Sequence, residues 1–136
     1  MFVDACAIVA IMHRETTGPV YERALIAADS PFTSPLAAWE AVLILAHPNK
    51  LNCSYRQAEK VVRAWLERQR IELRDADASS VLTSAVMAAE LYGVSRRQLS
   101  NFDCFHYAQA KAAGVPLLTL DQRLRETDVE TLPRTA

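Results

Sequence analysis

The run "NFDCFHYAQAKAAGVPLLTLD" (Asn101–Asp121) carries a helix, a stop and a buried strand in one stretch. Phe105, Ala108 and Ala112 recur at spacings of three and four, the period of a helix with one apolar face, and Gly114 is its stop. "PLLTL" then runs apolar without alternation, the pattern of a parallel strand buried on both faces. Asp121 closes it. One carboxylate near the start of the helix, Asp103, and one at the end of the strand raise the question of what two acids do against so much apolar sequence.

The same grammar extends outward. "MFV" starts a short strand, and "ACAIVAIMHR" continues it as a helix. Gly18-Pro19 breaks the chain, and residues 19–28 form a second helix. "FTS" is a strand. Ser34-Pro35 supplies an N-cap followed by proline at the first helical position, opening "LAAWEAVLILA", which ends near His47-Pro48. Ser54 with Gln57 is a capping-box pair, opening a helix to about Arg68. "IEL" is a strand, 77–92 a helix ended near Gly93, and after "PLLTL" come a helical turn and an edge strand near Val129–Leu132.

Strands alternating with helices imply an α/β fold. The expectation is a single domain over 1–136, a short, mostly parallel central sheet flanked by helices on both faces in a Rossmann-like three-layer arrangement. In such sheets ligands bind at the carboxyl ends of the strands.

The bulk numbers agree. The 136 residues, 51% of them hydrophobic, suffice for one core and argue against disorder. No apolar run approaches the ~20 residues of a membrane span, and the N-terminus lacks a basic region and a cleavage site, so a cytoplasmic protein is expected. The three cysteines, Cys6, Cys53 and Cys104, form neither a disulfide framework nor a zinc pattern. A net charge of −1 does not suit a general nucleic-acid coat. Twelve of the fifteen basic residues are arginine, which suits bidentate contact with carboxylate or phosphate.

Four acids stand in apolar company. Asp4 is the only charge in "MFVDACAIVAIM", Glu40 the only charge in "SPLAAWEAVLILA", Asp103 the only acid in "NFDCFHYAQA", and Asp121 ends the buried strand. An isolated buried carboxylate costs several kcal/mol unless it is paired, protonated or metal-bound. Asp4 and Asp121 each follow a strand. Glu40 lies about a turn and a half into its helix and Asp103 in the first turn of its own. All four therefore meet at the carboxyl edge of the sheet. Four clustered carboxylates repel one another, and a divalent cation removes the conflict. All-oxygen ligands favour magnesium or manganese over zinc. Each acid also has a bland reading: Asp103 as a helix N-terminal charge, Asp121 as a turn residue or N-cap, Asp4 as a cap. Glu40 has no capping role to fall back on.

Cys104 and His106 stand two apart on a helix, face different sides and make no zinc pair. Cys104 is read as a small buried residue and His106 as a polar residue at the rim, with substrate contact as the sharper option. His13 and His47 are read as charge partners at helix ends. Trp39 is read as core, and Trp65 as core or partner contact. Arg96 and Arg97 lie in a loop near the acids, solvated or touching phosphate.

"MFVDACAIVAIM", "TSPLAAWEAVL" and "NFDCFHYAQAKAAGVPLLTLD", in that order, resemble the PIN-domain ribonucleases, in particular the VapC-type toxins of bacterial toxin–antitoxin pairs. The resemblance covers nearly the whole chain. It implies a PIN-like fold and puts the family's metal-binding catalytic acids on Asp4, Glu40, Asp103 and Asp121. It also implies magnesium- or manganese-dependent cleavage of RNA, a homodimer and inhibition by a cognate antitoxin. Two departures stand out. Cys6 replaces the family's Ser or Thr two residues after the first Asp, and a thiol is the poorer hydrogen-bonding group for a metal-bound water or a phosphate oxygen. The segment between Gly93 and Asp103 is short and lacks the glycine that relatives often carry before the third Asp. Cys6, Arg96, Arg97 and His106 are the candidates for supporting or substrate-contacting roles.

Three other classes compete. A haloacid-dehalogenase phosphatase requires a second Asp where Cys6 stands, and a response-regulator receiver needs adjacent acids at the first strand and a lysine after the last. A degenerate member of the same fold, binding RNA or a protein without cutting, would fit Cys6.

Overall fold

The computed structural model describes residues 1–93 and 99–134. Five short parallel strands, β1 (Phe2–Val3), β2 (Phe32–Thr33), β3 (Glu72–Leu73), β4 (Leu117–Leu118) and β5 (Thr131–Leu132), form one sheet in the order β3-β2-β1-β4-β5. Register places Phe2 beside Phe32 and Leu117, and Leu118 beside Val3 and Leu132. The chain leaves β1 towards β2 and β3, then crosses back to β4 and β5. The carboxyl ends of β1 and β4 thus flank the point where the winding reverses, the crevice in which open α/β sheets hold ligands.

Among the described residues seven helices surround the sheet: α1 (Ala5–Met12), α2 (Gly18–Ile26), α3 (Pro35–Ala46), α4 (Tyr55–Arg68), α5 (Ala78–Tyr92), α6 (Asn101–Ala113) and α7 (Gln122–Arg125). Local chemistry sets their ends. Ser34 Oγ accepts from the Ala37 amide at 3.0 Å with Pro35 in the first turn. Ser54 and Gln57 make the reciprocal capping box at 3.1 and 3.0 Å. Gly114 ends α6 at φ +66°, a conformation that costs glycine little.

Alternation along the strands divides the core. Val3 and Leu118 face α1, α2, α3 and α4, while Phe2, Phe32 and Leu117 face α5 and α6. Phe2 and Phe32 meet edge-on at 5.3 Å, and each such fully buried ring contributes about 1.5–3 kcal/mol relative to exposure.

Two expected faces need correction. Trp39 is 48% exposed rather than core. The inner face of α3 is built from Ala37, Ala41 and Leu45 at fourfold spacing, and Trp39, two residues after Ala37, turns outward. On α6, Phe105 is exposed and the buried side runs through Cys104 and the stretch from His106 to Ala110, because this helix packs on α5 and on the sheet at once. Trp65 is buried, which selects its core reading, and Cys104 is the small buried residue expected. No helix among the described residues is long and apolar enough to cross a membrane.

Candidate metal centre

Asp4 is the residue between β1 and α1. It occupies the N-cap position of α1 but makes no side-chain cap hydrogen bond, so its carboxylate is free for other work. It is almost wholly buried. Its Oδ2 accepts from Thr119 Oγ1 at 2.8 Å and from the Cys6 thiol at 3.1 Å, and Oδ1 lies 3.8 Å from His106 Nε2.

Glu40 is the sixth residue of α3. Its Oε1 lies 2.9 Å from His106 Nε2. One potential ligand atom from each of Asp4, Glu40 and His106 falls within 4.8 Å of the other two. Among the described residues no lysine or arginine pairs with Asp4 or Glu40.

Asp103 stands in the first turn of α6. The cap of that helix is Ser100, whose Oγ accepts from the Asp103 amide at 3.1 Å, so the Asp103 carboxylate is not needed as a cap. Burial and then the charges of Asp4 and Asp121 raise its carboxyl above the ordinary range, against the smaller pull of Ser100 and His106. These three carboxylates feel one another across the β1–β4 crevice.

Asp121 behaves partly as the bland reading expects. It is exposed, and its Oδ1 accepts from the amides of Arg123 and Leu124 at 2.9 and 3.2 Å, capping α7. Capping occupies one oxygen and anchors the carboxylate at the carboxyl end of β4.

His106 is not at the rim. Its ring is fully buried and stacks on Phe2 at 6.0 Å. Burial opposes charge on this ring, but the Glu40 hydrogen bond and the charges of Asp4 and Asp103 outweigh it and raise its affinity for a proton. That second proton would sit on Nδ1, which is sealed from solvent without a hydrogen-bond partner. Nε2 faces the Glu40 carboxylate and so carries the hydrogen it donates, while Nδ1 stays buried without a partner. The same atom argues against direct metal ligation, since a ligating histidine normally donates its other N–H to a partner. The expected split between Cys104 and His106 holds, with the cysteine thiol on the apolar side facing α5 and the imidazole on the acids.

Sequence reasoning missed Thr119 and Tyr21. The Thr119 hydroxyl donates to Asp4 and accepts from the Asp121 amide at 3.1 Å, so a single group ties two acids from different strands. Tyr21, from α2, accepts from the Leu120 amide at 2.8 Å and meets Cys6 Sγ at 3.3 Å. With the thiol proton on Asp4, the Tyr21 hydroxyl donates to sulfur. Burial, then the charge of Asp4, pushes the Cys6 thiol up, which keeps it protonated and a donor. A threonine two residues before Asp121 was the available signal for one of them; nothing in the sequence marks Tyr21. Arg96 and Arg97 lie outside the described residues.

The donor set fits a hard divalent cation: oxygens of Asp4 and Glu40 converge beside His106, with Asp103 and Asp121 outside this tight group, and among the described residues no lysine or arginine pairs with Asp4 or Glu40.

Comparison with known proteins places the chain. The PIN domain family model matches residues 1–130. Ribonuclease VapC of Mycolicibacterium smegmatis is 33% identical over 132 residues, covering 95% of this chain and 97% of that protein. Ribonuclease VapC30 of Mycobacterium tuberculosis H37Rv is 28% identical over 137 residues, covering 97% and 98%. The solved structure of VapBC-1 from nontypeable Haemophilus influenzae superposes with a TM-score of 0.72 over 96% of this chain and 94% of that one, at 15% identity, a likeness of fold. With a sheet wound in this order, acids at its reversal point and relatives matched end to end, the chain belongs to the PIN domain family.

Proposed function

We propose that this protein is a divalent-metal-dependent endoribonuclease of the toxin–antitoxin type, hydrolysing RNA phosphodiester bonds at Asp4, Glu40, Asp103 and Asp121. The observation that carries the reading is the acid cluster itself, in which no lysine or arginine among the described residues pairs with Asp4 or Glu40. Asp4 and Glu40 share a corner with the His106 imidazole, and Asp103 is pressed by the charges of Asp4 and Asp121. Such a group is costly in a resting protein and suits the binding of magnesium or manganese. The relatives named as VapC ribonucleases support RNA as substrate.

A divalent ion bound there supplies a nucleophilic water at neutral pH and stabilises charge on the reacting phosphoryl group. The chain's own groups hold the geometry. Thr119 and Cys6 fix one oxygen of Asp4 and leave the other towards Glu40 and His106. His106 orients Glu40, and capping of α7 orients Asp121. Burial of Asp4 and His106 keeps this corner dry.

The competing reading, a degenerate RNA- or protein-binding module, drew on Cys6. Here Thr119 supplies a hydroxyl to the same Asp4 oxygen, which supports retained activity. The proposal includes a cytoplasmic setting, a cognate antitoxin bound across the acid crevice, and a homodimer for which exposed apolar residues such as Ile26 and Val61 offer surface. Purified protein freed of any antitoxin should cleave single-stranded RNA with manganese or magnesium and not with EDTA. A panel including intact tRNA and rRNA left uncut in both metals would refute the enzyme reading.

A further inference from the structure

Trp39 and Phe102 are large aromatic rings left 48% and 38% exposed. They come from different helices, α3 and α6, and each immediately precedes an acid of the cluster, Glu40 and Asp103. Their rings meet edge to face, with centroids 5.9 Å apart and planes at 90°. Such a pair fixes both ring planes while leaving ring surface to water. Phe105, three residues after Phe102 and so on the same side of α6, is 42% exposed.

Beyond Trp39 a cavity of about 400 Å³ opens between α3 and α4, with Pro35, Leu43, Tyr55 and Leu66 in its walls and Arg56 lining it. Arg56 has no acidic partner among the described residues, while Glu59 beside it is taken by Arg63 at 2.7 Å.

An acid cluster repels a polyanion, and a net charge of −1 offers no compensating field. RNA binding therefore gains from a contact that does not depend on charge. Base stacking is such a contact, and aromatic faces beside an arginine are its usual platform. We propose that the Trp39–Phe102 pair and the adjoining cavity form a subsite for one unpaired nucleobase of the RNA substrate. The base stacks on the indole, and Arg56 meets a backbone phosphate. This rests on the ribonuclease reading and deepens it by naming where one base of the single-stranded substrate is held, since bases in a duplex have no free face to offer.

The chain has two tryptophans, and Trp65 is buried, so Trp65→Phe leaves Trp39 as the only indole. That protein is titrated in EDTA, where nothing is cut, with an unstructured mixed-sequence oligoribonucleotide and with an abasic strand of equal length. The base-bearing strand should quench Trp39, and the abasic strand should bind more weakly without quenching. Trp39→Leu and Phe102→Leu, each in the otherwise natural chain, should weaken binding of the base-bearing strand by about 5- to 150-fold, the worth of one stacked base. Both should bind the abasic strand as the parent does. Equal affinity of the parent for the two strands, or leucine variants that bind RNA like the parent, would overturn the subsite. Variants that lose only the binding of a protein partner would overturn it too and give the face to that partner. Quenching by the base-bearing strand with no cleavage in manganese would refute the nuclease and leave the subsite standing.

Discussion

Replacing Thr119 by valine removes one hydroxyl and keeps the shape of the side chain. That hydroxyl is fully buried, donates to the Asp4 carboxylate at 2.8 Å and accepts from the Asp121 amide at 3.1 Å. A hydrogen bond to a charged group contributes about 1.5–3 kcal/mol. The Asp121 amide is only partly buried, so water recovers much of its loss and about 1 kcal/mol more is at stake. The expected cost of Thr119→Val is about 2–4 kcal/mol in the metal-free protein. Thr119→Ser keeps the hydroxyl and removes a methyl, at about 1 kcal/mol. With a urea m-value of about 2 kcal/mol/M, valine should lower the unfolding midpoint by about 1–2 M and serine by about 0.5 M. Urea melts in EDTA measure this directly. The valine variant should also lose more of the stabilisation by manganese, because Asp4 is no longer held at Oδ2. Equal midpoints for the valine and serine variants would mean that the hydroxyl carries no weight in holding Asp4.

Asp103→Asn should leave the metal-free protein as stable as the parent or more so, because Ser100 is the cap and the Asp103 carboxylate is disfavoured by burial and by Asp4 and Asp121. A raised folded-state carboxyl means that the penalty is present above that value and fades as pH falls towards the unfolded value near 3.9, so the two melting curves should converge in acid. The same variant should lose most of the manganese protection, about 2.7 kcal/mol at a hundredfold excess over Kd, and a retained shift would reduce Asp103 to a helix-end charge. Cys6→Ser should fold normally and cut RNA at least as well as the parent, since the serine hydroxyl can donate to Asp4 as the thiol does; a large loss with intact folding would give the thiol a role of its own. His106→Gln keeps an N–H donor for Glu40 and should bind manganese nearly as the parent does, whereas His106→Leu should bind about 10–100-fold more weakly by titration calorimetry. Equal affinities in those two variants would remove His106 as the group that holds Glu40.

Local rules made most elements legible. Caps such as Ser34-Pro35 and Ser54 with Gln57, the stop at Gly114 and the unbroken run before Asp121 depend on neighbours within a few residues, and each element appears where they put it. The four acids stood out for a related reason, because a lone charge in an apolar segment is conspicuous without any knowledge of its partners. Faces were less legible. Trp39 and Phe105 sit in apolar company, yet which side of a helix is covered depends on what packs there, and α6 meets both α5 and the sheet.

An α/β chain with four isolated carboxylates at strand and helix ends is readable from contiguous residues, since spacing, capping and charge isolation are local properties. How those carboxylates are served depends on contacts across the fold. The His106 ring that donates to Glu40 lies 66 residues away in the chain, and the Thr119 hydroxyl on Asp4 lies 115 away. Tyr21 bridges the Cys6 thiol to an amide 99 residues on. Contacts of such span leave no periodic trace in one sequence. They exist because the sheet reverses its winding between β1 and β4, which brings the two strand ends and two helix starts into one crevice.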